Sequence, residues 1–193
     1  IDIGGNIGIS VIGFRELGFK RNKILVFEPD SLLIKKYLNS IKSYYDEVII
    51  YNFGLSNKNE KKILFKAFYK NKFFHFNNSF DKKYIKEKLR HNYPKKYKEF
   101  YFKTQNLTVK KFDNLKIKTN ACFVKIDVEG FDHKVISGMN NFIKKIKPVL
   151  LIEYNPSNFA VIYNKLRIDY FCYIYDIEKD SLRRLKKNDI KYL

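Results

Sequence analysis

Short apolar runs alternate along the chain with longer segments in which apolar residues recur at helical spacing. The opening residues Ile1-Asp2-Ile3 are typical of a buried strand end, and apolar runs predict further strands over residues 24–27, 47–52, 121–127 and 149–153. Three intervening segments each present one apolar face: Ile9, Ile12 and Leu17; Leu33, Tyr37, Leu38 and Ile41; and Val135, Met139, Phe142, Ile143 and Ile146. This order predicts an α/β fold, with a mostly parallel sheet flanked by helices.

The interval between the third and fourth predicted strands is too long for a simple crossover, so we expect an insertion over roughly residues 61–112. Its pattern predicts a strand over Lys61–Tyr69, a polar-aromatic loop over His75–Asp81, and a charged helix over Asp81–Phe100 that Pro94 interrupts. Two interpretations stay open: a solvated, lysine-rich excursion, and a cap that covers a substrate.

The chain of 193 residues is 45% hydrophobic, which is enough for one domain with a full core over residues 1–193. Towards the carboxyl terminus, residues 170–175 and 182–185 predict a closing hairpin. Ile1 already stands within the first predicted strand, and the only methionine is Met139. We therefore expect a domain that is truncated at its amino terminus.

A glycine-rich loop follows the first strand in the stretch Asp2-Ile3-Gly4-Gly5-Asn6-Ile7-Gly8. Without Cβ atoms, its three glycines let a ligand lie against the bare main chain. The second strand ends in Glu28, twenty positions after Gly8, where folds of this kind hold the two hydroxyls of a ribose. Together the two signals predict a nucleotide-type cofactor. NAD fits poorly, because its G-x-G-x-x-G fingerprint would need glycine at Asn6 and Ile9.

Lysine and arginine outnumber aspartate and glutamate by 39 to 20, which gives a formal net charge of +19. Such a balance often indicates polyanion binding, so a basic nucleic-acid-binding or RNA-modifying protein is an alternative. The chain is also crowded with Lys, Asn, Ile, Phe and Tyr, the residues of AT-rich codons, and its lysines are spread along its length. Codon bias is the favoured explanation, and nucleic acid is the less favoured partner.

Cys122 and Cys172 stand in apolar, strand-like surroundings without a second pair for a zinc site, which favours buried reduced thiols. No apolar run approaches the ~20 residues that a transmembrane helix needs, and no signal peptide is visible in the sequence. We therefore expect a cytoplasmic enzyme without a membrane span. The pattern does not fix an oligomeric state.

Four stretches of the sequence, taken in order, resemble the FkbM family of S-adenosylmethionine-dependent methyltransferases. They are Asp2–Ser10, Phe27–Asp30, Asn52–Ser56 and Val124–Asp132, and Gly138, Pro148 and Glu153 follow at the spacing of the family pattern. The resemblance spans most of residues 1–153. It implies a Rossmann-like class I methyltransferase fold with a seven-stranded sheet, and S-adenosyl-L-methionine as the cofactor. One stretch departs from the family, because Lys110 and Lys111 stand where acidic residues are usual. A catalytically decayed remnant is therefore a further alternative.

The resemblance and the positions at the strand ends together assign a cofactor site. Asn6 is expected to contact the amino-acid end of the cofactor, and the loop Asn52–Ser56 is expected on its adenine side. The full set of expected cofactor-binding residues is Asp2, Gly4, Gly5, Asn6, Gly8, Glu28, Pro29, Asp30, Gly54 and Leu55.

Methyl transfer to a hydroxyl needs a base near the carboxyl end of the fourth strand, because the acceptor must lose its proton. Asp127 and Glu129 lie there, two apart on an extended backbone, and Lys125 can share their face. We predict that Asp127 or Glu129 orients or deprotonates the acceptor; the alternative is that they cap the following helix. His133 is a further candidate base, with a surface helix position as its alternative. Asp127 and Glu129 could also hold a divalent metal ion, although no paired histidines support a dedicated site.

The acceptor is constrained by a motif that the sequence lacks. Enzymes that methylate base or amide nitrogen often have an Asp/Asn-Pro-Pro-aromatic turn after the fourth strand, whereas this chain has Asp127-Val128-Glu129-Gly130 there. Asn155-Pro156-Ser157 follows the fifth strand and lacks the second proline and the aromatic residue. An oxygen acceptor is therefore favoured, and the family resemblance implies a hydroxyl of a sugar, a glycan or a related metabolite.

Overall fold

The computed structural model describes residues 1–185, which divide into two compact units, one over Ile1–Glu153 and one that begins at Tyr154. In chain order the elements are β1 (Asp2–Ile3), α1 (Ile9–Glu16), β2 (Ile24–Phe27), α2 (Ser31–Leu33), α3 (Asn39–Tyr44), β3 (Val48–Tyr51), β4 (Gly54–Leu55), β5 (Glu60–Tyr69), β6 (Lys72–Ser79), α4 (Lys82–Asn92), β7 (Tyr101–Lys110), β8 (Phe123–Ile126), α5 (Asp132–Gly138), α6 (Asn140–Ile146), β9 (Val149–Ile152), α7 (Pro156–Leu166), β10 (Tyr173–Asp176) and β11 (Ser181–Arg184). A π-helical segment, Ile34–Leu38, joins α2 to α3, and 3-10 turns span Tyr97–Glu99 and Phe112–Asn114.

Five parallel strands of the first unit form its central sheet within residues 1–185, in the order β3-β2-β1-β8-β9. Asp2 is in register with Val26 on one side and with Lys125 on the other, so β1 is the middle strand. Since all these strands run in one direction, their carboxyl ends meet at one edge, where open α/β sheets bind their ligands. This confirms the predicted α/β fold with a mostly parallel sheet.

Helices follow the strands in the predicted order, but the apolar face predicted for α1 is wrong, because Ile9, Ile12 and Leu17 are exposed. Val11 of α1 is fully buried in one cluster with Val26 and Leu38. The helical run after β2 begins at Asp30, whose carboxylate accepts a hydrogen bond from the N–H group of Leu32 at 3.0 Å. An acceptor at this position stabilises a helix start by about 1 kcal/mol. The residues between β2 and α2 therefore end the strand and, through Asp30, start the helix.

The single helix predicted after the fourth strand is in fact two helices, α5 and α6, which meet at Met139. At the end of α5, Gly138 lies against the segment after β4: a Cβ atom built on it would be 2.0 Å from the carbonyl oxygen of Ser56. A glycine inside a predicted helix indicates a close-packing contact, and the structure confirms this prediction for Gly138. At the start of α6, the carboxylate of Asp113 accepts hydrogen bonds from two backbone N–H groups at 2.9 and 3.0 Å.

The insertion forms a separate sheet with the strand order β4-β7-β5-β6. β5 pairs antiparallel with both β7 and β6, and the buried side chains of Ile85 and Leu89 pack α4 into the core of the insertion. The strand predicted over Lys61–Tyr69 is confirmed as β5. The charged helix predicted over Asp81–Phe100 is shorter: α4 begins after Asp81, whose carboxylate caps its first turn, and ends at Asn92 before Pro94, beyond which a 3-10 turn follows. The insertion thus has its own core.

The loop predicted over His75–Asp81 is wrong, because β6 extends to Ser79. The pairing of β6 with β5 jumps from Asn78 to Phe74 across the adjacent residues Lys66 and Ala67. Residues 75–77 therefore bulge out of the ladder, and a bulge redirects the side chains it carries. The polar residues of this stretch suggested a loop. They belong instead to a strand, β6, which loses its regular pairing with β5 over these residues.

The second unit contains the predicted hairpin, with Tyr173–Asp176 antiparallel to Ser181–Arg184. Within residues 1–185 these two strands form a sheet of their own, so the central sheet has five strands where seven were predicted. Asn155 caps α7 by accepting a hydrogen bond from the N–H group of Ser157. The Asn-Pro-Ser stretch is therefore a helix start.

No helix in the described part of the chain is long and apolar enough to cross a membrane. Both cysteines are free thiols, as expected. Cys122 is exposed and Cys172 is half-buried, so the prediction that both thiols are buried is wrong.

Candidate active site

A cleft of about 270 Å³ opens at the carboxyl edge of the central sheet. The glycine loop, the end of β2 and the turn after β8 line it, together with the bulged part of β6 from the insertion. Of the predicted cofactor residues, those that line the cleft are Gly4, Gly5, Asn6, Glu28, Pro29, Gly54 and Leu55. Lys125, Asp127 and Glu129 line it from the predicted catalytic set.

The glycines of the loop are required by the protein's own packing as well as by any ligand. Gly4 has φ +83°, and a Cβ atom on it would be 1.9 Å from the carbonyl oxygen of Asp127. Gly8 has φ +85°, and its Cβ would be 2.2 Å from Ile41 Cδ1. Both positions therefore exclude larger residues through backbone conformation and space. The loop is pressed against the end of β8, which brings Asp127 next to the cofactor segment.

Glu28 is held in place at the end of β2 by main-chain donors. One carboxylate oxygen accepts a hydrogen bond from the N–H of Asn6 and the other from the N–H of Asp30, both at 2.8 Å. The side chain amide of Asn52 donates to the carbonyl oxygens of Glu28 and Pro29 at 3.2 and 3.0 Å. With the residue only 5% exposed, burial raises the pKa of Glu28 to about 7, although both N–H groups oppose this. Each oxygen still has a second lone pair for a ligand hydroxyl.

Asn6 links the glycine loop to the insertion. Its side chain oxygen lies 3.0 Å from Nδ1 of His75, and its amide group donates to the carbonyl oxygen of His75 at 3.3 Å. Burial, and then the charge of Lys36, lower the pKa of His75 and favour its neutral form. The Asn6 side chain, predicted to contact the cofactor, is thus engaged by the bulge of β6. His75 lines the cleft as well, and an isolated histidine among aromatic residues gave no sequence signal for this position.

Three of the predicted cofactor residues lie outside the cleft lining: Asp2, Gly8 and Asp30. Asp30 is fully buried and pairs with Nζ of Lys66 from the insertion at 2.6 Å. Asp2 is also buried, and its carboxylate lies 3.4 Å from Nζ of Lys125. Burial raises the pKa of Asp2, while Lys125 opposes this. These two acids support the framework of the site, each through an ion pair with one lysine.

Lys125 joins the first strand to the predicted catalytic motif. Its Nζ lies 3.4 Å from Asp2, 3.3 Å from Asp127 and 3.4 Å from the carbonyl oxygen of Gly4. Burial disfavours its charged form, but the Asp2 and Asp127 carboxylates outweigh this and raise its pKa. The expectation that Lys125 and Asp127 share a face is met, since their charged groups are in contact. Lys125 thereby fixes the direction of the Asp127 carboxylate.

Glu129 is held from the insertion. Its Oε2 accepts a hydrogen bond from Nζ of Lys88 and lies 3.5 Å from the hydroxyl of Tyr84, and its carbonyl oxygen accepts one from Ser79 Oγ at 2.6 Å. Burial raises the pKa of Glu129, and Lys88 opposes this. The alternative that Glu129 or Asp127 caps α5 is wrong, because the Val128 N–H bonds to Asp132 and the first turn of α5 has no side-chain cap among the described residues.

Glu153, at the end of β9, completes a carboxylate cluster. Oxygens of Asp127, Glu129 and Glu153 all lie within 4.8 Å of one another, a spacing that could hold a metal ion. Burial, and then Glu129 and Asp127, raise the pKa of Glu153 to about 7. Nζ of Lys88 lies 3.8 Å from this carboxylate. Neither Glu153 nor Lys88 was predicted as a site residue; the sequence signal for Glu153 was its position at the end of the fifth strand.

His133 is not brought to the cleft. It lies in α5 outside the described lining, and burial lowers the pKa of its imidazole. Lys110 and Lys111, which replace the usual acids of the family, also lie outside it. Nζ of Lys110 lies 4.3 Å from the centre of the Phe53 ring, and the N–H of Lys111 bonds to Asn59 at 2.7 Å. Both lysines therefore have structural contacts at the end of β7.

The cleft differs in charge from the chain as a whole. Among the described residues that line it, three carry carboxylates, Glu28, Asp127 and Glu129, whereas Lys125 carries the one ammonium group. The whole chain has a formal net charge of +19. A ligand with positive charge is therefore favoured over a polyanion in this cleft.

The comparisons with known proteins agree with this geometry. The Methyltransferase FkbM domain matches residues 2–173. The crystal structure of Methyltransferase FkbM from Methylobacillus flagellatus KT has a similar fold, with a TM-score of 0.57 and 18% sequence identity over 86% of this chain. The present chain spans 36% of that protein's chain. No curated protein matches the sequence. Since the domain match covers most of its length, the chain belongs to the FkbM family of methyltransferases.

Proposed function

We propose that the protein is an S-adenosylmethionine-dependent O-methyltransferase whose acceptor is a hydroxyl of a sugar, a glycan or a related metabolite. The observation that carries the cofactor assignment is the Glu28 carboxylate, fixed by two main-chain donors in the same cleft as the glycine loop. An acid at the end of the second strand is the group that holds ribose hydroxyls in folds of this kind.

The residues of the cleft fit this cofactor by charge and by chemistry. S-adenosylmethionine has a sulfonium and an ammonium cation, which the carboxylates of Glu28, Asp127 and Glu129 would offset. Glu28 would accept hydrogen bonds from the ribose, and Pro29 and Leu55 offer apolar surface for the base. When bound, the cofactor supplies a methyl group that its sulfonium already activates.

The chain's own task is to hold the acceptor and to accept its proton. Asp127 and Glu129 line the cleft, and a carboxylate there can bind a hydroxyl and take its proton during transfer. The contact of Lys125 with Asp127 keeps that carboxylate directed. Because alignment alone can supply ~7–11 kcal/mol of the barrier, little further machinery is needed.

The insertion supports a hydroxyl-rich acceptor. Its residues in the lining include Asn78 together with Phe76 and Phe80. An amide group bonds to sugar hydroxyls, and aromatic rings offer apolar surface to the faces of sugar rings. Phe76 is 53% exposed, so its ring is accessible to a ligand. The cleft thus combines a carboxylate base with polar and aromatic acceptor contacts.

Calorimetric titration with S-adenosylmethionine tests the cofactor assignment. We expect saturable binding by the native protein, weakened at least about tenfold by Glu28→Ala, because one anchor of the ribose is lost. Glu87→Ala, which removes an exposed acid of α4, is the matched control and should bind as the native protein does. Unchanged affinity in Glu28→Ala, or binding of NADH in its place, would contradict the assignment.

Transfer of a tritiated methyl group to a panel of saccharides tests the acceptor, with RNA and single-stranded DNA in parallel. We expect label in saccharides and loss of that label in Asp127→Asn. Label in RNA alone would favour the nucleic-acid alternative. Cofactor binding without transfer to any hydroxyl compound would favour a decayed remnant.

A further inference from the structure

Lys88 extends from the insertion helix α4 into the carboxylate cluster at the ends of β8 and β9. Its ammonium group donates a hydrogen bond to Glu129 Oε2 and lies 3.8 Å from Glu153 Oε1. The side chain is 26% exposed, whereas that of Lys83 in the same helix is 86% exposed and pairs with the exposed Glu87. Lys88 therefore differs from the exposed Lys83, because its ammonium group contacts the carboxylates of Glu129 and Glu153.

We infer that Lys88 is a positioning residue that serves as the built-in cation of the acceptor side of the cleft, in the place where oxygen-rich sites elsewhere hold a divalent metal ion. The inference rests on the proposed function, because Asp127 and Glu129 are the proposed acceptor-binding groups. Carboxylates as close as those of Asp127, Glu129 and Glu153 repel one another when ionised, and a cation among them offsets that repulsion. The chain supplies that cation from its insertion.

The contacts also give Glu129 a direction. Tyr84 and Lys88 are one helical turn apart, and both contact Oε2 of Glu129. Among the described contacts this leaves Oε1 for an acceptor hydroxyl. Asp127 is the other carboxylate of the proposed acceptor-binding pair, and it is directed by Lys125. Two lysines from different parts of the chain thus each orient one carboxylate of the predicted pair.

Terbium(III) tests the inference, because it binds oxygen-rich sites and is excited by nearby tyrosine, here Tyr84. Lys88→Met removes the ammonium group and keeps much of the side chain. We expect it to bind terbium on the order of 30-fold more tightly than the native protein, since a positive charge within about 4 Å of the site has gone. Lys88→Arg and Lys83→Met should bind terbium as the native protein does. Adding Glu153→Gln to Lys88→Met should remove the gain.

Methyl transfer gives a second readout. The native protein should transfer methyl groups equally well with and without EDTA. In Lys88→Met the acid limb of the pH profile should move to higher pH, because loss of the cation raises the pKa of Glu129; Lys88→Arg should restore the native profile, and Lys83→Met should not differ from it. Lys88→Gln replaces Lys88→Met if circular dichroism shows that the methionine variant does not fold.

Two results would overturn the inference: a native-like terbium affinity in the folded Lys88→Met or Lys88→Gln variant, or native activity that is lost in EDTA and restored by magnesium. Terbium binding requires neither cofactor nor acceptor. Failure of this inference can therefore be distinguished from failure of the proposed methyl transfer, which the calorimetric titration detects separately.

Discussion

The cleft and the insertion helix α4 carry opposite charge within one basic chain. Most of the charged residues among the described lining of the cleft are carboxylates. The helix α4, in contrast, has four lysines and an arginine against a single glutamate. Lys83 and its neighbours contribute to the net charge from solvated positions, where an ion pair is worth little. Lys88 and Lys125 contribute the same formal charge, but each directs a particular carboxylate. The total charge therefore describes the exterior, and the site depends on which charges are in contact.

The largest effect should come from removing a carboxylate from the cleft. Asp127→Asn keeps the size of the side chain but cannot accept a proton, so we expect kcat for methyl transfer to fall about 10³-fold. The dissociation constant for S-adenosylmethionine should change less than about threefold. Glu87→Gln on α4 is the matched control and should leave both quantities unchanged. A variant that loses cofactor binding to the same extent as activity would show that Asp127 is a cofactor residue.

The next largest effect is a loss of stability when a buried lysine is replaced. Lys66→Met leaves the buried Asp30 carboxylate without its ammonium partner, and we expect the free energy of unfolding to fall by about 3 kcal/mol. Lys83→Met removes the same charge from an exposed pair and should cost less than about 0.5 kcal/mol. Denaturant unfolding of both variants measures the difference. Equal losses of unfolding free energy in the two variants would mean that the buried ion pair of Lys66 is worth no more than the exposed pair of Lys83.

The pH dependence of cofactor binding should come from the cleft. The pKa of Glu28 is raised to about 7, so its ionised form, which accepts ribose hydroxyls, becomes more populated between pH 6 and pH 8. We expect affinity for S-adenosylmethionine to rise by up to about tenfold over this range. Glu28→Gln should bind weakly and without this rise. Glu153→Gln is the control, because the pKa of Glu153 is also raised to about 7.

The raised pKa of Glu28 also predicts that the stability of the fold falls with rising pH, whereas the affinity for the cofactor rises. Glu28 binds its proton more tightly in the folded protein than in the unfolded chain, where its ordinary value is 4.5. Its protonation therefore stabilises the fold fully below pH 4.5, and that contribution is lost as the pH rises to about 7. Glu28→Gln should lack this part of the decline, which thermal unfolding at several pH values can show.

Salt should have the smallest effect at the cleft. Because the lining charges are partly buried, the dissociation constant for S-adenosylmethionine should change less than about twofold between 50 and 200 mM salt. Any binding of a polyanion to the lysines of α4 should weaken far more over the same range. Calorimetry with the cofactor and with single-stranded DNA compares the two regions directly. A steep salt dependence of cofactor binding would show that the charges of the cleft are as exposed to solvent as those of α4.

Features within one short stretch of chain could be predicted from the sequence. The strand ends, the glycine loop and Glu28 follow from local patterns, because apolar runs define strands and parallel strands bring their ends together. Gly138 was also predicted, as a glycine within a helical pattern. The two-residue spacing of Lys125 and Asp127 was sufficient to place them in contact.

Features that depend on distant pairing could not be predicted. Lys88 contacts Glu129 across 41 positions, and His75 contacts Asn6 across 69, so neither has a local signature. The charged pattern of α4 gives no reason to separate Lys88 from Lys83. The bulge of β6 depends on the register with β5, which a single strand does not reveal. The difference between Asp30 as a ligand contact and Asp30 as a buried ion-pair partner likewise depends on Lys66.

Both ends of the insertion are fastened to the same pair of helices, through the contact of Gly138 with Ser56 and through Asp113 at the start of α6. The insertion therefore leaves and rejoins the core at two fixed points, so it can be exchanged as one segment. A chimera that takes this segment from another member of the family, with Lys66 and His75 retained for their contacts with Asp30 and Asn6, should keep the cofactor site of the present chain and acquire the acceptor preference of the donor. The insertion thus offers a natural unit for engineering new acceptors.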